Sequence, residues 1–343
     1  MHLVSRAFRS VVANNDQLFS PEQIDWYEQI LRLIALTHDL GHAPFSHGSE
    51  LVFPEGLEHE DFTDKIITNT EIADYIHEIG ANYVKKYGSE YNITPDLICS
   101  IYHGKNITNP DFIFLKKFMD SELDCDKMDY LLRDSLYCGV SYGKYDIDRL
   151  ISCLTAYQKE NNTFLAIEKD GLHAFEEFVL ARYFMFIQVY FHKTRRILDR
   201  MLVEYLKEKL PEGKYPEDVN DYLKWDDGRV WEMLRRDVDE NEAANRLVNR
   251  RVLKKVYESS THCGYDELKT LKLLKIELQE KYGEEYFIYD TAEKLTHKIP
   301  LKYEIDNEKS IPIILDHAED PSTINQESGI IKKITEPINI FRI

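Results

Sequence analysis

The sequence has few cysteines and no long apolar run. Its five cysteines are widely spaced in a chain of 343 residues, which is an odd number in a chain too large to need a disulfide framework. No stretch approaches the roughly 18 consecutive apolar residues of a membrane-spanning helix, and the first residues lack the basic segment and apolar core of a signal peptide. We therefore expect a protein of the reducing cytoplasm that does not span a membrane.

Positive charge and chain-breaking residues are also scarce. Lysine and arginine number 43 against 61 aspartates and glutamates, a formal net charge of −18. This balance makes nucleic acid or an anionic membrane an unlikely main partner, so an anionic ligand needs a local basic pocket. With 14 Gly, 11 Pro and 43% hydrophobic residues, the composition is that of a globular protein and excludes disordered and collagen-like chains.

Helix signals dominate the first two thirds of the chain. Ser20, Pro21 and Gln23 supply an N-cap, a first-turn proline and a capping-box partner, and they predict a helix that runs to about Thr37. The apolar stripe of this helix continues to His38, which is therefore expected to point inward.

The remaining elements predict a mostly α fold, α+β overall. Further helices are expected over about 122–137, capped by Ser121, and over 175–210, with a charged helical stretch over 241–258. The runs Tyr-Phe-Ile-Tyr, Ile-Pro-Leu-Lys-Tyr and Ile-Pro-Ile-Ile-Leu near the end of the chain predict a small sheet. The expected organisation is a helical core over 1–210 and a smaller C-terminal region, helical with a small sheet, over 211–343.

Histidines are concentrated early in the chain. Four of them fall in the segment from His38 to His59, and the first is followed directly by Asp39. Imidazole and carboxylate together suit Mn, Fe, Zn or Ni, and a cation would neutralise Asp39 if the helical core buries it. The alternative is a core histidine followed by an exposed aspartate. The density of histidines favours the metal.

Two later segments carry polar stripes. On a helix, Asp126, Lys127, Tyr130 and Asp134 fall within an arc of about 100°, whereas Cys125, Met128, Leu132 and Leu136 lie opposite and are expected in the core. Such a stripe suits a metal-bound polyphosphate, and a solvated helix face is the alternative reading.

The second stripe, within about 80° on the predicted helix 175–210, consists of Arg182, Phe186, Tyr190 and Lys193. Basic and aromatic side chains on one face indicate a cationic pocket in which a nucleotide can stack. The alternative is that the aromatic residues belong to the core and the basic residues extend from its edge.

These segments together resemble the HD-domain phosphohydrolases, and within them the deoxynucleoside triphosphate (dNTP) triphosphohydrolases of bacteria and vertebrates. The specific part is His38-Asp39-Leu-Gly-His42-Ala-Pro-Phe-Ser-His47 joined to Asp126-Lys127-Met-Asp-Tyr130-Leu-Leu-Arg-Asp134. The resemblance extends from the first residues to about residue 255 and implies an HD-domain helical core.

The resemblance also implies residue roles. It makes His38, Asp39 and Asp126 ligands of a divalent metal (Mn, Fe, Zn, Ni or Mg). It implies that the triphosphate is held by Lys127, Arg182, Tyr190 and Lys193, and that the sugar is lined by Tyr130, Asp134 and Tyr190. It places His42, His47 and His59 at the scissile phosphate, with Glu50 and His59 supporting His47. Where the animal enzyme has a histidine one turn after the pocket arginine, this chain has Phe186.

The implied reaction is hydrolysis of a dNTP to a deoxynucleoside and triphosphate. A metal phosphodiesterase, a 5′-nucleotidase and a nucleotide-sensing protein without turnover are the alternatives. The resemblance further implies a homotetramer with dNTP effector sites, for which Arg250 and Lys254 are candidates. These two belong to a basic run over 246–255 that a solvated helix face also explains.

The family uses a fourth metal ligand, a histidine on a preceding helix in a segment of the form Arg-Phe-x-His-Ser-Leu-Gly-Val. This chain opens Met1-His2-Leu-Val-Ser-Arg-Ala-Phe, which is similar to the continuation of that helix. We expect the ligand to precede residue 1, with His2 as the less favoured substitute, and we therefore expect weak metal binding and slow turnover.

Overall fold

The chain folds mainly into α-helices. A computed structural model of the chain describes residues 1–300, 309–316, 318 and 320–343. The α-helices of the first 210 residues are α1 His2–Ala13, α2 Pro21–Thr37, α3 His59–Asn69, α4 Glu71–Tyr87, α5 Pro95–His103, α6 Pro110–Lys116, α7 Cys125–Tyr137, α8 Ile147–Ser152, α9 Leu172–Met185 and α10 Lys193–Lys209. They are followed by α11 Val219–Tyr222, α12 Asp227–Arg236, α13 Glu242–Val248, α14 Tyr265–Tyr282 and α15 Ile324–Glu327. The predicted fold class is confirmed.

Within the described ranges, no helix combines the length and the apolarity of a membrane span.

Short strands form two sheets among the described residues. The strands are β1 Leu154–Lys159, β2 Asn162–Glu168, β3 Asp290–Lys294, β4 Pro312–Ile314, β5 Ser322–Thr323 and β6 Ile338–Arg342. One sheet has the order β1-β2-β4-β5, and β3 pairs antiparallel with β6 in the other. Because β2 pairs with β4 in parallel, with Ile167 opposite Ile313, strands from both sides of residue 211 share a sheet.

The β-rich runs near the end of the chain have different outcomes. The Ile-Pro-Ile-Ile-Leu run contains β4, and the Tyr-Phe-Ile-Tyr run immediately precedes β3. Residues 301–303 of the Ile-Pro-Leu-Lys-Tyr run lie outside the described residues. The hairpin of β1 and β2 was not predicted.

Helix α2 has the predicted bounds and holds the beginning of the site. The Ser20 hydroxyl accepts the Gln23 amide at 3.3 Å, and the Gln23 side chain accepts the Ser20 amide at 3.0 Å, which completes the capping box. Tyr27, Leu31 and Ile34 are fully buried in the main core. Burying an aliphatic or aromatic side chain of this size contributes about 1.5–3 kcal/mol. The end of α2, where the metal-ligand candidates begin, is therefore firmly anchored.

Helix α7 starts later than predicted and buries a different face. Its N-cap is Asp124, whose side chain accepts the amide of Lys127 at 2.8 Å, and not Ser121. Leu136, expected in the core, is 75% exposed, and Leu131 is buried instead. The buried residues of the helix are Cys125, Met128, Leu131 and Ser135, so its buried face passes through Leu131 and Ser135 and not through Leu132 and Leu136.

The long helix predicted over 175–210 is interrupted. Helix α9 ends at Met185, residues Phe186–Tyr190 form a π-helical turn, and α10 begins at Lys193. A π-turn adds a residue to one turn, so residues before and after it no longer follow a common stripe. The helix predicted over 241–258 is also shorter and ends at Val248.

Candidate active site

The loop after α2 is fixed to α3 by close backbone packing. The Gly41 amide donates to the Thr63 hydroxyl at 2.9 Å, and that hydroxyl donates to the His38 carbonyl at 3.0 Å. A Cβ at Gly41 would collide with the carbonyl oxygen of His59. Only glycine allows this approach, which brings the loop against the first turn of α3, where His59 lies. The Tyr222 hydroxyl also fixes this loop, because it donates to the Gly41 carbonyl at 2.8 Å.

The next turn carries backbone strain. Phe45 and Ser46 have φ values of 62° and 51°, and two successive non-glycine residues in the left-handed region are uncommon. The Phe45 amide donates to Asp227 at 2.7 Å, which helps to hold this turn. The short helical turn that follows carries His47. Strain of this kind concentrates at functional sites.

His38, Asp39 and Asp126 form a group that suits a metal ion. Nε2 of His38 lies 3.3 Å from Oδ1 of Asp39 and 3.4 Å from Oδ1 of Asp126, and one ligand atom of each residue lies within 4.8 Å of the others. Both ring nitrogens of His38 are buried, and neither makes a hydrogen bond to any described residue. A buried imidazole without partners beside two carboxylates is the arrangement that a divalent cation satisfies.

The pKa values of His38 and Asp39 in this group depend on the charges of their neighbours. Burial opposes protonation of His38, but the carboxylates of Asp126 and Asp39 outweigh burial and raise its pKa. Burial likewise opposes ionisation of Asp39, yet His42, His38 and His59 outweigh it and lower its pKa. Each group therefore favours a charged state that depends on its neighbours, and a metal would replace the proton on His38. His2, exposed at the start of α1, belongs to neither ligand group found among the described residues.

Three imidazoles surround the carboxylate of Glu50. Its oxygens lie 2.7 Å from Nδ1 of His42, 2.9 Å from Nδ1 of His47 and 3.3 Å from Nδ1 of His59. The rings of His42 and His59 are stacked with centroids 4.0 Å apart. Nε2 of His42 also lies 3.5 Å from Oδ1 of Asp39, so the histidine group borders the metal-ligand group.

The pKa values of Glu50 and His42 depend on each other. Burial raises its pKa, but hydrogen bonds from His42, His47 and His59 outweigh burial and hold the pKa well below its ordinary value. For His42, burial lowers the pKa, whereas Asp39 and Glu50 raise it to about 9. At neutral pH the site therefore holds an anionic Glu50 and a cationic His42. The side chain of His47 is 62% exposed and is the member of the group that reaches solvent.

The predicted sugar-lining residues come together across α7 and the π-turn. The Tyr190 hydroxyl donates to Asp134 at 2.8 Å, and the rings of Tyr130 and Tyr190 meet edge to face at 6.1 Å. Burial raises the pKa of both tyrosines, and Asp134 raises that of Tyr190 further. Both hydroxyls are therefore neutral at any physiological pH.

The predicted phosphate-binding cations have internal partners. Arg182 is 6% exposed, and its Nη1 donates to Glu122 at 3.2 Å and to the Thr296 carbonyl at 2.8 Å. Lys127 forms an ion pair with the buried Asp124 and donates to the Ser121 carbonyl at 2.9 Å. The side chains of Arg182 and Lys127 are thus held in place by contacts within the protein.

Lys193 lies elsewhere, because the π-turn separates it from the Arg182 stripe. It lines a groove of about 890 Å³ between α10 and the C-terminal segment, with His47 on the same groove. Lys254 also lines this groove, whereas Arg250 does not. Since α13 ends at Val248, the basic run 246–255 does not form a helix face.

Sequence reasoning missed two residues around Arg182. Glu122 was expected only as the first residue of a helix, yet it is the buried counter-ion of Arg182. Lys294 places its Nζ 5.7 Å from the ring centroid of Phe186, the same distance as the guanidinium carbon of Arg182. No local pattern signals either contact, because the partners are far apart in the chain.

A family model described as HD associated region matches residues 145–334, more than half of the chain. Together with the His-Asp groups above, this match shows the class of protein. The chain belongs to this HD-associated family and is a member of the HD superfamily.

Individual relatives agree with this assignment. YwfO of Bacillus subtilis, an uncharacterized protein, is 34% identical over 187 residues, which are 54% of this chain and 38% of that protein. The deoxynucleoside triphosphate triphosphohydrolase SAMHD1 homolog of Dictyostelium discoideum is 27% identical over 252 residues, which are 70% of this chain and 45% of that protein. The chain therefore spans less than half the length of both. A crystal structure of a hypothetical protein from Aquifex aeolicus has 30% identity and a TM-score of 0.75, covering 99% of this chain and 80% of that one.

Proposed function

We propose that the chain is a metal-dependent phosphohydrolase that converts a dNTP into a deoxynucleoside and triphosphate. The observation that carries this proposal is the junction of two groups, because Nε2 of His42 lies 3.5 Å from Oδ1 of Asp39. Metal-ligand candidates and proton-carrying imidazoles thus border one another. The name of the Dictyostelium relative, a deoxynucleoside triphosphate triphosphohydrolase, supports the choice of substrate.

The metal would be held by His38, Asp39 and Asp126, and Mn, Fe, Zn, Ni or Mg would fit this donor set. When bound, a divalent ion polarises a phosphoryl oxygen and lowers the pKa of a coordinated water. The cationic His42 stabilises negative charge that develops on the phosphoryl group.

His47 is the proposed general acid of the reaction. Its Nδ1 faces Glu50 at 2.9 Å, which leaves Nε2 to donate a proton to the departing 5′ oxygen. Glu50 orients the ring, and His59 supports the arrangement from the opposite side of Glu50. Each of these residues therefore has a distinct role at the scissile phosphate.

The remaining site residues would bind the nucleotide. Tyr130, Asp134 and Tyr190 would line the sugar, and the triphosphate would meet Lys127, Arg182 and Tyr190. Lys193, on the groove beside His47, would approach the same phosphates from the other side. We also propose a homotetramer with dNTP effectors that contact Lys254 and Arg250.

Product analysis tests the proposal. The protein is incubated with each dNTP and Mn, and the products are resolved by ion-exchange chromatography. Intact triphosphate supports it. Orthophosphate from a monophosphate indicates a 5′-nucleotidase, a ring-opened monophosphate from a cyclic nucleotide indicates a phosphodiesterase, and dNTP binding without any product indicates a nucleotide sensor.

A pair of variants on one helix controls this assay. Asp126→Asn removes a proposed metal ligand and should abolish product. Asp129→Asn changes a carboxylate on the same helix that pairs with the exposed Arg133 at 2.9 Å, and it should retain activity.

A further inference from the structure

Lys294 reaches the site from the C-terminal sheet. It is the last residue of β3, where it pairs with Ile338 of β6. The two strands pack on the π-turn through a small apolar cluster of Phe191, Ala292, Ile338 and Ile340, against which Phe186 and Tyr190 lie. This apolar contact places the end of β3 beside the proposed nucleotide pocket.

The strand is held on both sides of Lys294. Asp290, at the start of β3, accepts from Nε of Arg196 on α10 at 3.0 Å. Beyond the strand, the Thr296 carbonyl accepts from Arg182 at 2.8 Å, and the Lys298 amide donates to Glu122 at 3.1 Å. The backbone that carries Lys294 is therefore fixed relative to Arg182.

Positive charge accumulates where these segments meet. Nζ of Lys294 and the guanidinium carbon of Arg182 each lie 5.7 Å from the Phe186 ring centroid. Lys294 is exposed as a whole, but partial desolvation of its ammonium, followed by the charges of Arg182, Lys298 and Lys127, outweighs the charge of Glu122 and lowers its pKa. No acidic side chain of the described ranges forms an ion pair with Lys294, whereas Glu122 and Asp124 are paired with Arg182 and Lys127.

A second observation concerns Arg182. The residue as a whole is 6% exposed. Its Nε is buried and has no hydrogen-bond partner among the described residues. A buried guanidinium donor without an acceptor costs free energy, and so does bringing like charges together. An anion with several oxygens would relieve both costs, because it accepts hydrogen bonds and neutralises the cations.

We infer that Lys294 is a substrate-binding residue that, together with Arg182, holds the polyphosphate of a nucleoside triphosphate. The HD-associated region, which includes Lys294, thus completes the binding site on the helical core. This inference rests on the proposed function for the identity of the substrate, but the anion site itself can be tested separately.

The direct test uses inorganic tripolyphosphate as the probe. Its binding to the full chain is measured by isothermal titration calorimetry with no divalent ion added, at several salt concentrations. Lys294→Met keeps the length of the side chain and removes the charge, and it should weaken binding about tenfold or more and reduce the salt dependence. Lys294→Arg should retain most of the affinity.

Lys281→Met is the matched control. Lys281 also lies over an aromatic ring, with Nζ 5.0 Å from the centroid of Tyr282. It belongs to α14 and is not one of the cations grouped around Arg182 and Lys294. This variant should bind tripolyphosphate as the wild type does. Thermal unfolding of all variants verifies folding. Wild-type affinity and salt dependence in Lys294→Met, or the absence of tripolyphosphate binding by the wild type, would overturn the inference.

Kinetics separate this inference from the proposed function. If dNTPs are substrates, Lys294→Met should raise KM with a smaller change in kcat, because Lys294 contacts phosphates that remain intact. Tripolyphosphate binding that depends on Lys294 in a protein that hydrolyses no dNTP would support the anion site and refute the substrate. Hydrolysis of dNTPs with unchanged KM and unchanged tripolyphosphate affinity in Lys294→Met would refute the inference alone.

Discussion

The buried ion pair of Glu122 and Arg182 offers a quantitative test of how the C-terminal segment is attached to the core. The two side chains are 8% and 7% exposed, and their charged atoms are 3.2 Å apart. Glu122 also accepts the backbone amide of Lys298 at 3.1 Å. The carboxylate therefore compensates a buried cation and ties the chain after β3 to the loop that precedes α7.

Replacing Glu122 by glutamine preserves the shape and one acceptor but removes the charge. Breaking a buried ion pair by removing one partner costs about 3–5 kcal/mol, because the other charge remains buried without compensation. Since the glutamine oxygen can still accept the Lys298 amide, we expect the lower end of this range, about 3 kcal/mol. The measurement is urea unfolding followed by far-UV circular dichroism.

Two further variants define the interpretation. Glu204→Gln changes an exposed carboxylate that pairs with Arg200 at 3.3 Å, and it should change stability by no more than about 0.5 kcal/mol. The double variant Glu122→Leu with Arg182→Met should be more stable than the sum of its single variants predicts, because no charge is left buried. A cost below about 1 kcal/mol for Glu122→Gln, or strict additivity in the double variant, would refute the reasoning.

Three other predictions concern activity, metal and pH. His47→Ala should lower turnover by about 10²–10⁴-fold with little change in nucleotide affinity, as general acids contribute by this amount; unchanged steady-state turnover would remove His47 from the mechanism. Asp126→Asn should lower the Mn content measured by mass spectrometry after dialysis, and Asp129→Asn should not; equal content would exclude Asp126 as a ligand. Burial lowers the pKa of His297, whose Nε2 donates to the Ile331 carbonyl at 3.2 Å, and Glu122 and Arg182 act on it in opposite directions. Because the unfolded chain then binds the proton more readily, the contribution of His297 to stability should fall as the pH drops from about 7.5 to 5.5, whereas the raised pKa values of His38 and His42 act in the opposite direction. The stability of His297→Gln relative to the wild type, measured by thermal unfolding, should therefore increase as the pH drops, and a difference that does not change with pH would contradict this.

Features that depend on nearby residues could be predicted from the sequence. The capping box of α2 and the inward position of His38 are confirmed, because both follow from contacts within one or two helical turns. The mostly α class is confirmed for the same reason. The groups His38-Asp39 and Asp126-Lys127 were identified as partners through the resemblance, and the structure brings them within 3.4 Å. The roles assigned to the site residues stay predictions.

Other features were misjudged because a helical wheel assumes an unbroken helix. The stripe from Arg182 to Lys193 was wrong only at Lys193: Arg182, Phe186 and Tyr190 still contact one another in series, but Lys193 follows the π-turn between α9 and α10, which changes its angular position. The helix predicted over 241–258 was too long for a similar reason, because α13 ends at Val248, so the alternative reading of the basic run around Arg250 as a helix face does not apply. Periodicity in a sequence contains no information on where a helix is interrupted by packing against another segment.

By itself, then, the sequence identified the imidazoles and carboxylates of the candidate site, because their order and spacing resemble the HD motif. The tertiary structure decided how they are held and which residues complete the site. Glu50 contacts three histidines only because Gly41 lets the loop pack on α3. The apolar contact of β3 and β6 with the π-turn brings Lys294 to the site around Arg182. Glu122 reaches Arg182 from another side, because α7 packs against α9. Contacts of this kind depend on the burial of surfaces distant in sequence, and no local pattern records them.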